Sequence, residues 1–418
     1  MSSTEWPGAP VRSNSALSAP GRHAVEHPAG AEPGELPRSE VTASLTSLGA
    51  QVALRSYTQR RRRSRRRRIA LLVGLPLTLV LLLAGTGAAV LLHLQSVLDS
   101  RIERFGDPFA SVPADQRPAT DPATVPGTGT AGTAAAATPA KAMNLLVLGS
   151  DSRISAGDPK QWVAGAQRTD AIMLVHVPAD RGHVYVTSIP RDSWVDIPGH
   201  GKAKINAAFS WGGPALTIRT VEKLTGVRID HMVITDFTGF ARITDLLGGV
   251  DISVAQTTTG NTHGQGPNFT AGTHHMDGKT ALGYVRERYV LQNGDFDRVK
   301  RQQNWIRSVM HTAVAQGVPS DPRRIYDLID AMVSSLSTDN SFSITAMRDL
   351  ALSLRHTTTG TARFLTVPVT GTGTSADGQS IVLLDRAKDA ELFAAAKHDA
   401  MEAFLASSHY PTLGSAVR

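Results

Sequence analysis

Residues 168–192 read RTDAIMLVHVPADRGHVYVTSIPRD, and the fold class turns on how they are divided. Two short apolar runs, residues 171–177 and 183–189, lie on either side of the turn-forming Pro178-Ala179-Asp180-Arg181-Gly182. Runs of that length, bounded by turn signals, read as buried strands. A third run at residues 144–148 adds another strand. At the outer ends stand Arg168 with Asp170 and Arg191 with Asp192. Strand ends followed by polar loops are where α/β sheets place their ligands. The planar guanidinium fork matches phosphate oxygens two at a time, so arginines converging there point to a phosphate or pyrophosphate.

Working outward, residues 205–226 carry helical spacing and stop at Gly226. Residues 229–235 return to strand, and residues 238–247 form a helix stopped by Gly248-Gly249. Residues 250–254 read as a strand, followed by a Gly-, Thr- and Asn-rich loop over 256–273. Helices near 277–288, 296–316, 322–336 and 343–355, a strand at 362–368 and a terminal helix near 383–406 complete the pattern. Strands and helices mixed in this order give a layered α/β domain around a central sheet. No internal repeat is visible.

The N-terminal third has a different texture. Residues 1–55 are rich in Pro, Ser, Ala, Gly and Glu and read as disordered. Eight arginines interrupted by Ser64 fill residues 60–68, and residues 69–92 contain no charge over a length that spans a bilayer as one helix. With so long a segment ahead of it, this reads as an uncleaved anchor and not a signal peptide. The positive-inside rule puts the arginines in the cytoplasm and everything after the span outside. The chain is therefore divided into a basic cytoplasmic tail (1–68), a transmembrane helix (69–93), a stalk and Pro/Thr/Ala/Gly-rich linker (94–141) and an extracellular domain (142–410). Residues 93–105 fit a continuation of the helix.

Residues 1–68 hold 12 Lys and Arg against 5 Asp and Glu, which accounts for the whole net charge of +7. The rest of the chain, with 31 of each sign, is neutral, so its high pI is no argument for nucleic-acid binding. The arginine run instead suits topology and attraction to anionic lipid. The chain has no cysteine, which removes disulfides, thiolate nucleophiles and zinc-thiolate sites.

Asp151 follows the first strand and Asp170 begins the second, so the two can flank one edge of a cleft. Two carboxylates beside arginines suit Mg²⁺, with Mn²⁺ as a substitute, although each Asp equally fits a loop cap or an arginine pair. Lys204 and Asn206 stand at a helix entrance, where capping or anion contact explains them. Arg286 and Arg288 diverge by about 200° on a helix and can share a ligand only where that helix ends. In the run from Asp295 to Gln303, Arg298 and Gln302 are four apart and share a face, with Lys300 and Arg301 expected toward solvent. No phosphate-binding Gly-rich loop ending in Lys-Ser/Thr, serine elbow or zinc-binding His-Glu-x-x-His helix is present. Phosphoryl transfer needs none of these, since positioning and cations supply most of its catalysis.

Over residues 143–310 these blocks resemble the LytR-CpsA-Psr family. The resemblance rests on residues 144–153, 168–177, 188–198, the run Lys204-Ile205-Asn206-Ala207-Ala208-Phe209, Gly212-Gly213-Pro214, Gly248-Gly249-Val250-Asp251, and residues 284–288 and 295–303. It implies a three-layer α/β/α domain with a central mixed sheet. It also implies a Mg-dependent phosphotransferase at the cell membrane, acting on a polyprenyl-pyrophosphate-linked glycopolymer and a peptidoglycan acceptor. By the same resemblance Asp151 and Asp170 are the metal pair, and Arg168, Arg191, Arg286, Arg288, Arg298 and Gln302 contact pyrophosphate, with Arg153 alongside. Met232, Ile234, Phe237, Phe240, Ile243 and Leu246 become candidates for a lipid tunnel, against the plainer reading that they are core. Asp297 departs from the family's usual Gly and suggests an altered metal geometry or a partner for Arg298. Two rivals are a pyrophosphatase acting at the same site with water and a transcriptional regulator. The latter needs a cytoplasmic DNA-binding domain that residues 1–68 are too poor in apolar side chains to build.

Overall fold

The computed structural model describes residues 102–119, 141–150, 169–258, 268–318, 321–333, 336–354 and 361–417. The segment read as a membrane span lies outside these, and among the described residues no helix is long and apolar enough to cross a membrane.

In chain order the strands are β1 (Glu103–Arg104), β2 (Met143–Ser150), β3 (Thr169–Val177), β4 (Val184–Ser188), β5 (Trp194–Ile197), β6 (Gly201–Lys204), β7 (His231–Asp236), β8 (Val250–Val254), β9 (Gly272–Met276), β10 (Leu336–Thr338), β11 (Ala362–Thr366), β12 (Val369–Thr374) and β13 (Ser380–Leu384). The helices are α1 (Ala207–Thr225), α2 (Phe237–Leu246), α3 (Gly278–Arg286), α4 (Asp295–Ala315), α5 (Pro322–Val333), α6 (Ile344–Ser353), α7 (Arg386–Lys397) and α8 (Met401–Ser408). Seven strands form a mixed sheet in the order β1-β10-β7-β2-β3-β4-β11. β2 runs parallel to β7 and antiparallel to β3, and β4 runs parallel to β11.

Alternation along the central strands decides the layers. Leu146 and Leu148 of β2, with Ile172 and Leu174 of β3, face one core, which α1 covers with Phe209, Ile218 and Val221 and α7 covers with Leu392 and Phe393. Their neighbours Leu145, Met173, Val184 and Val233 face the opposite core, against Met310 of α4 and Met347 and Leu350 of α6. A third cluster joins α2, α3, α4 and α5 around β8, with Val250, Ile252, Tyr284 and Trp305 at its centre. The helix starts are set by short polar side chains: Asp236 accepts from Gly239 N at 2.7 Å, Asp277 from Thr280 N at 2.8 Å and Ser343 from Ala346 N at 3.1 Å.

Two expectations are corrected. Residues 102–119, read as helix and linker, belong to the folded domain. β1 pairs with β10, Ile102, Phe105 and Val112 are buried, and Arg117 forms a buried pair with Glu222 at 2.7 Å while also reaching Ile229 O. Three buried apolar residues and one arginine are too sparse to show as periodicity. The terminal helix expected near 383–406 is a hairpin strand and two helices. The domain also runs past residue 410, since Val417 bridges to Val254 of β8.

Arg117→Ala leaves the Glu222 carboxylate buried without its cation, so the expected loss of stability is about 3–5 kcal/mol, read from a urea midpoint. On α7, Asp389 is buried with neither carboxylate oxygen hydrogen-bonded, and burial pushes its carboxyl up to about 7. The folded state then keeps a proton that the unfolded chain releases near 3.8. Stability contributed by this group is therefore present at low pH and lost as pH rises toward 7. Asp389→Asn is expected to flatten that fall, with unfolding midpoints higher than wild type at pH 8 and similar at pH 4.

Candidate functional site

The site is assembled where β2 and β4 end and β3 begins. Opposite β2, the pairing steps from Gly149 with Ala171 to Ser150 with Thr169, which leaves Asp170 as an extra residue in β3. Such a bulge re-aims a side chain out of the regular alternation. A Cβ on Gly149 would sit 3.1 Å from that of Ala171, so the close approach of the two strands favours glycine here.

Beyond β4, Pro190 accepts from Ser193 N at 3.0 Å and Ser193 Oγ at 2.6 Å, closing a turn that presents Arg191. Arg191 NH1 is hydrogen-bonded and ion-paired to Asp170 Oδ1, and its Nε lies 3.8 Å from Asp192 and 3.6 Å from Asp295. Lys204, at the end of β6, stands 3.2 Å from Asp192. From the first turn of α4, Arg298 lies 2.6 Å from Asp295 and 3.7 Å from Asp170, and donates to the Asp170 carbonyl at 3.3 Å. Three carboxylates and three cations thus interlock at one end of the sheet.

Burial controls the charges. It pushes the Asp295 carboxyl up, against the pull of Arg298 and Arg191, and pushes the Arg298 guanidinium down, against Asp295. Arg191 Nε, Arg298 Nε, Gln302 Oε1 and Thr169 Oγ1 are buried without a hydrogen-bond partner. Buried polar atoms of this kind cost free energy unless something pairs with them, and here several belong to one cluster.

α3 ends at Arg286, and Glu287 leaves the helix with an extended backbone, so Arg288 stands beyond the helix end, as sharing a ligand requires. Arg288 donates to Tyr289 Oη at 2.9 Å, and that hydrogen bond, with the fields of Asp295 and Asp170, holds its guanidinium charged. Arg286 is exposed in the last turn of α3. Asn206 precedes α1 without capping it through its side chain, and its N–H donates to Arg191 O at 3.2 Å. Gln302 is buried one turn after Arg298 on α4. Asp151, Arg153, Arg168 and the side chain of Phe237 lie outside the described residues.

Several expectations change. Arg301 does not face solvent: it is fully buried, stacked 4.5 Å over the Tyr284 ring, whereas Lys300 is half exposed. Asp297 does not pair with Arg298; it accepts from Asn293 N at 3.1 Å and Asn293 Nδ2, and so fixes the turn leading into α4. Phe240 stacks on Trp305 in the α2–α5 core together with Ile243, Met232 and Ile234 pack under α1, and Leu246 is 46% exposed, so these residues divide between two core clusters and the surface. Three residues escaped sequence reading. Asp295 ties Arg191 to Arg298, and its only signal was an acid three positions before an arginine. Glu287 accepts from Arg288 N at 2.8 Å and Tyr289 N at 2.7 Å and orients that turn. Gln303 donates to Ser188 Oγ at 2.8 Å and Leu365 O at 2.6 Å, pinning α4 to β4 and β11.

The chain is similar to known proteins. The chain is 38% identical over 218 residues to the probable cell wall biosynthesis protein LcpB of Corynebacterium glutamicum, covering 51% of this chain and 52% of that one. It is 37% identical over 169 residues to the regulatory protein MsrR of Staphylococcus aureus, covering 40% and 48%. It spans about half the length of these curated relatives. The crystal structure of protein gbs0355 from Streptococcus agalactiae superposes with a TM-score of 0.53 at 21% identity, covering 62% of this chain and 88% of that one, and shares the mixed α/β fold. The LytR_cpsA_psr family model matches residues 119–398, two thirds of the sequence, and the chain belongs to that family.

Proposed function

We propose that the chain is a membrane-anchored phosphotransferase that moves a phosphoglycan from a polyprenyl-pyrophosphate carrier to a peptidoglycan hydroxyl. The observation that carries this reading is the convergence of Arg191, Arg298 and Lys204, with Arg288 beside them, on one partly desolvated cluster at the sheet end. Guanidinium groups in such a place act on an anion whose charge grows in the transition state. Family membership and the cell-wall role that the Corynebacterium relative is named for point the same way.

The donor set fits Mg²⁺. The nearby acidic groups, Asp170, Asp192 and Asp295, offer oxygen only, as a hard cation prefers, although among the described residues no group of three or more His, Cys, Asp or Glu is placed to hold a metal ion by itself. Mg²⁺ typically takes one or two carboxylates and fills its shell with water and phosphate. Asp170, together with Asp151, would hold it, and when bound it neutralises pyrophosphate charge.

The chain's own residues do the rest. Arg191, Arg298 and Arg288 bind the pyrophosphate oxygens, and Gln302 adds a neutral contact. The acceptor hydroxyl oxygen forms a bond to the glycan-side phosphorus, the bond from that phosphorus to the bridging oxygen breaks, and polyprenyl phosphate leaves. Asp170 or Asp192 takes the hydroxyl proton.

With purified full-length protein, a polyprenyl-pyrophosphate glycan and peptidoglycan, a conjugated glycan should appear by mass spectrometry. Arg298→Ala and Arg288→Ala are each expected to lower its formation about 10²-fold or more. Release of free glycan phosphate without any conjugate would identify a pyrophosphatase instead, and normal turnover in both variants would remove the arginines from the mechanism.

A further inference from the structure

We propose that Trp211 and His200 form a saccharide-stacking subsite continuous with the cation cluster, a proposal that rests on the transferase reading. Trp211 is 42% exposed, although it is the largest side-chain type available to the core. It sits on α1 directly before a break in the helix, where Gly212 and Gly213 leave helical angles and Pro214 restarts it. The break is built in: a Cβ on Gly212 would meet the Leu216 side chain at 2.6 Å, and Gly213 has φ +59°. Two glycines and a proline thus break the helix directly after the exposed Trp211.

His200, in the turn of the β5–β6 hairpin, packs on Trp211 with ring centroids 5.1 Å apart and planes inclined by 32°. The same hairpin ends at Lys204, paired with Asp192 inside the cluster. α1 likewise begins at Asn206, bonded to Arg191 O, with Trp211 about 7.5 Å further along its axis. β6 and α1 thus both lead from the cation cluster to an exposed ring pair. The faces of indole and imidazole carry negative quadrupole density, against which the polarised C–H bonds of a sugar ring pack, while His200 and Lys202 supply polar contacts to hydroxyls. An aromatic pair set among Gly199, Gly201 and Lys202 is too isolated and polar to anchor the domain in lipid, which needs a continuous apolar face.

The test uses the full chain in nanodiscs, labelled with 5-fluorotryptophan, with the Trp211 resonance assigned from Trp211→Phe. Lipid-free donor glycan and soluble peptidoglycan fragments are titrated separately, which tells the two sources apart. One of them should shift the Trp211 signal, Trp211→Ala should weaken that binding about 10-fold, and Trp211→Phe should largely restore it. In transfer assays Trp211→Ala should raise KM for that glycan more than it lowers kcat. Unshifted resonances with both glycans, equal affinities in Trp211→Ala, or an effect of the substitution confined to vesicle binding would overturn the subsite. Because binding is read without turnover, a chain that binds glycan through Trp211 yet transfers nothing would defeat the transferase reading alone.

Discussion

Everything at the site depends on a helix that buries its polar side. α4 places Asp297, Arg298, Arg301, Gln302, Gln303 and Asn304 in the interior, a pattern that would be ruinous without partners. Most of the partners are supplied. Arg301 lies over Tyr284, Gln303 spans to β4 and β11, and Asn304 donates to Ser253 O and Tyr284 Oη at 3.1 Å. Those bonds fix the rotation and height of the helix against the sheet. Arg298 and Gln302 keep unmatched buried atoms, and Arg298 meets Asp170 at the start of the helix.

That arrangement explains how several like charges share a small volume. Burial and the neighbouring Arg191 disfavour the charged form of Arg298, and Asp295 and Asp170 between them offset that pressure. An arriving pyrophosphate would compete with these carboxylates for the same guanidinium groups. A metal on Asp170 would relieve the competition by withdrawing one carboxylate from the arginines while adding charge for the substrate.

Much of the sheet is legible because its central strands are largely buried on both faces and read as continuous apolar runs: β2, β3 and β4 differ from the expected spans only at their ends. The small hairpins are not, since β5, β6, β12 and β13 are short, Gly-rich or half exposed and carry no period. At the site, Arg191, Arg298 and Lys204 could be found because arginine and lysine at strand and helix ends are conspicuous. Their carboxylate partners were harder: Asp295 and Asp297 are two apart on one helix, and only the bond from Asn293 shows that Asp297 serves the turn while Asp295 serves the arginines. For Arg301, charge argues for exposure, and the tyrosine that shields it lies 17 residues away in sequence.

The most direct measurement is ³¹P NMR of a polyprenyl pyrophosphate added to the full-length protein with and without Mg²⁺. Both phosphorus resonances should shift and broaden on binding, the shift should grow with Mg²⁺, and Arg298→Ala should abolish it while leaving the protein folded. Unchanged resonances with the wild-type protein, or equal shifts with Arg298→Ala, would contradict a pyrophosphate site built on this cluster.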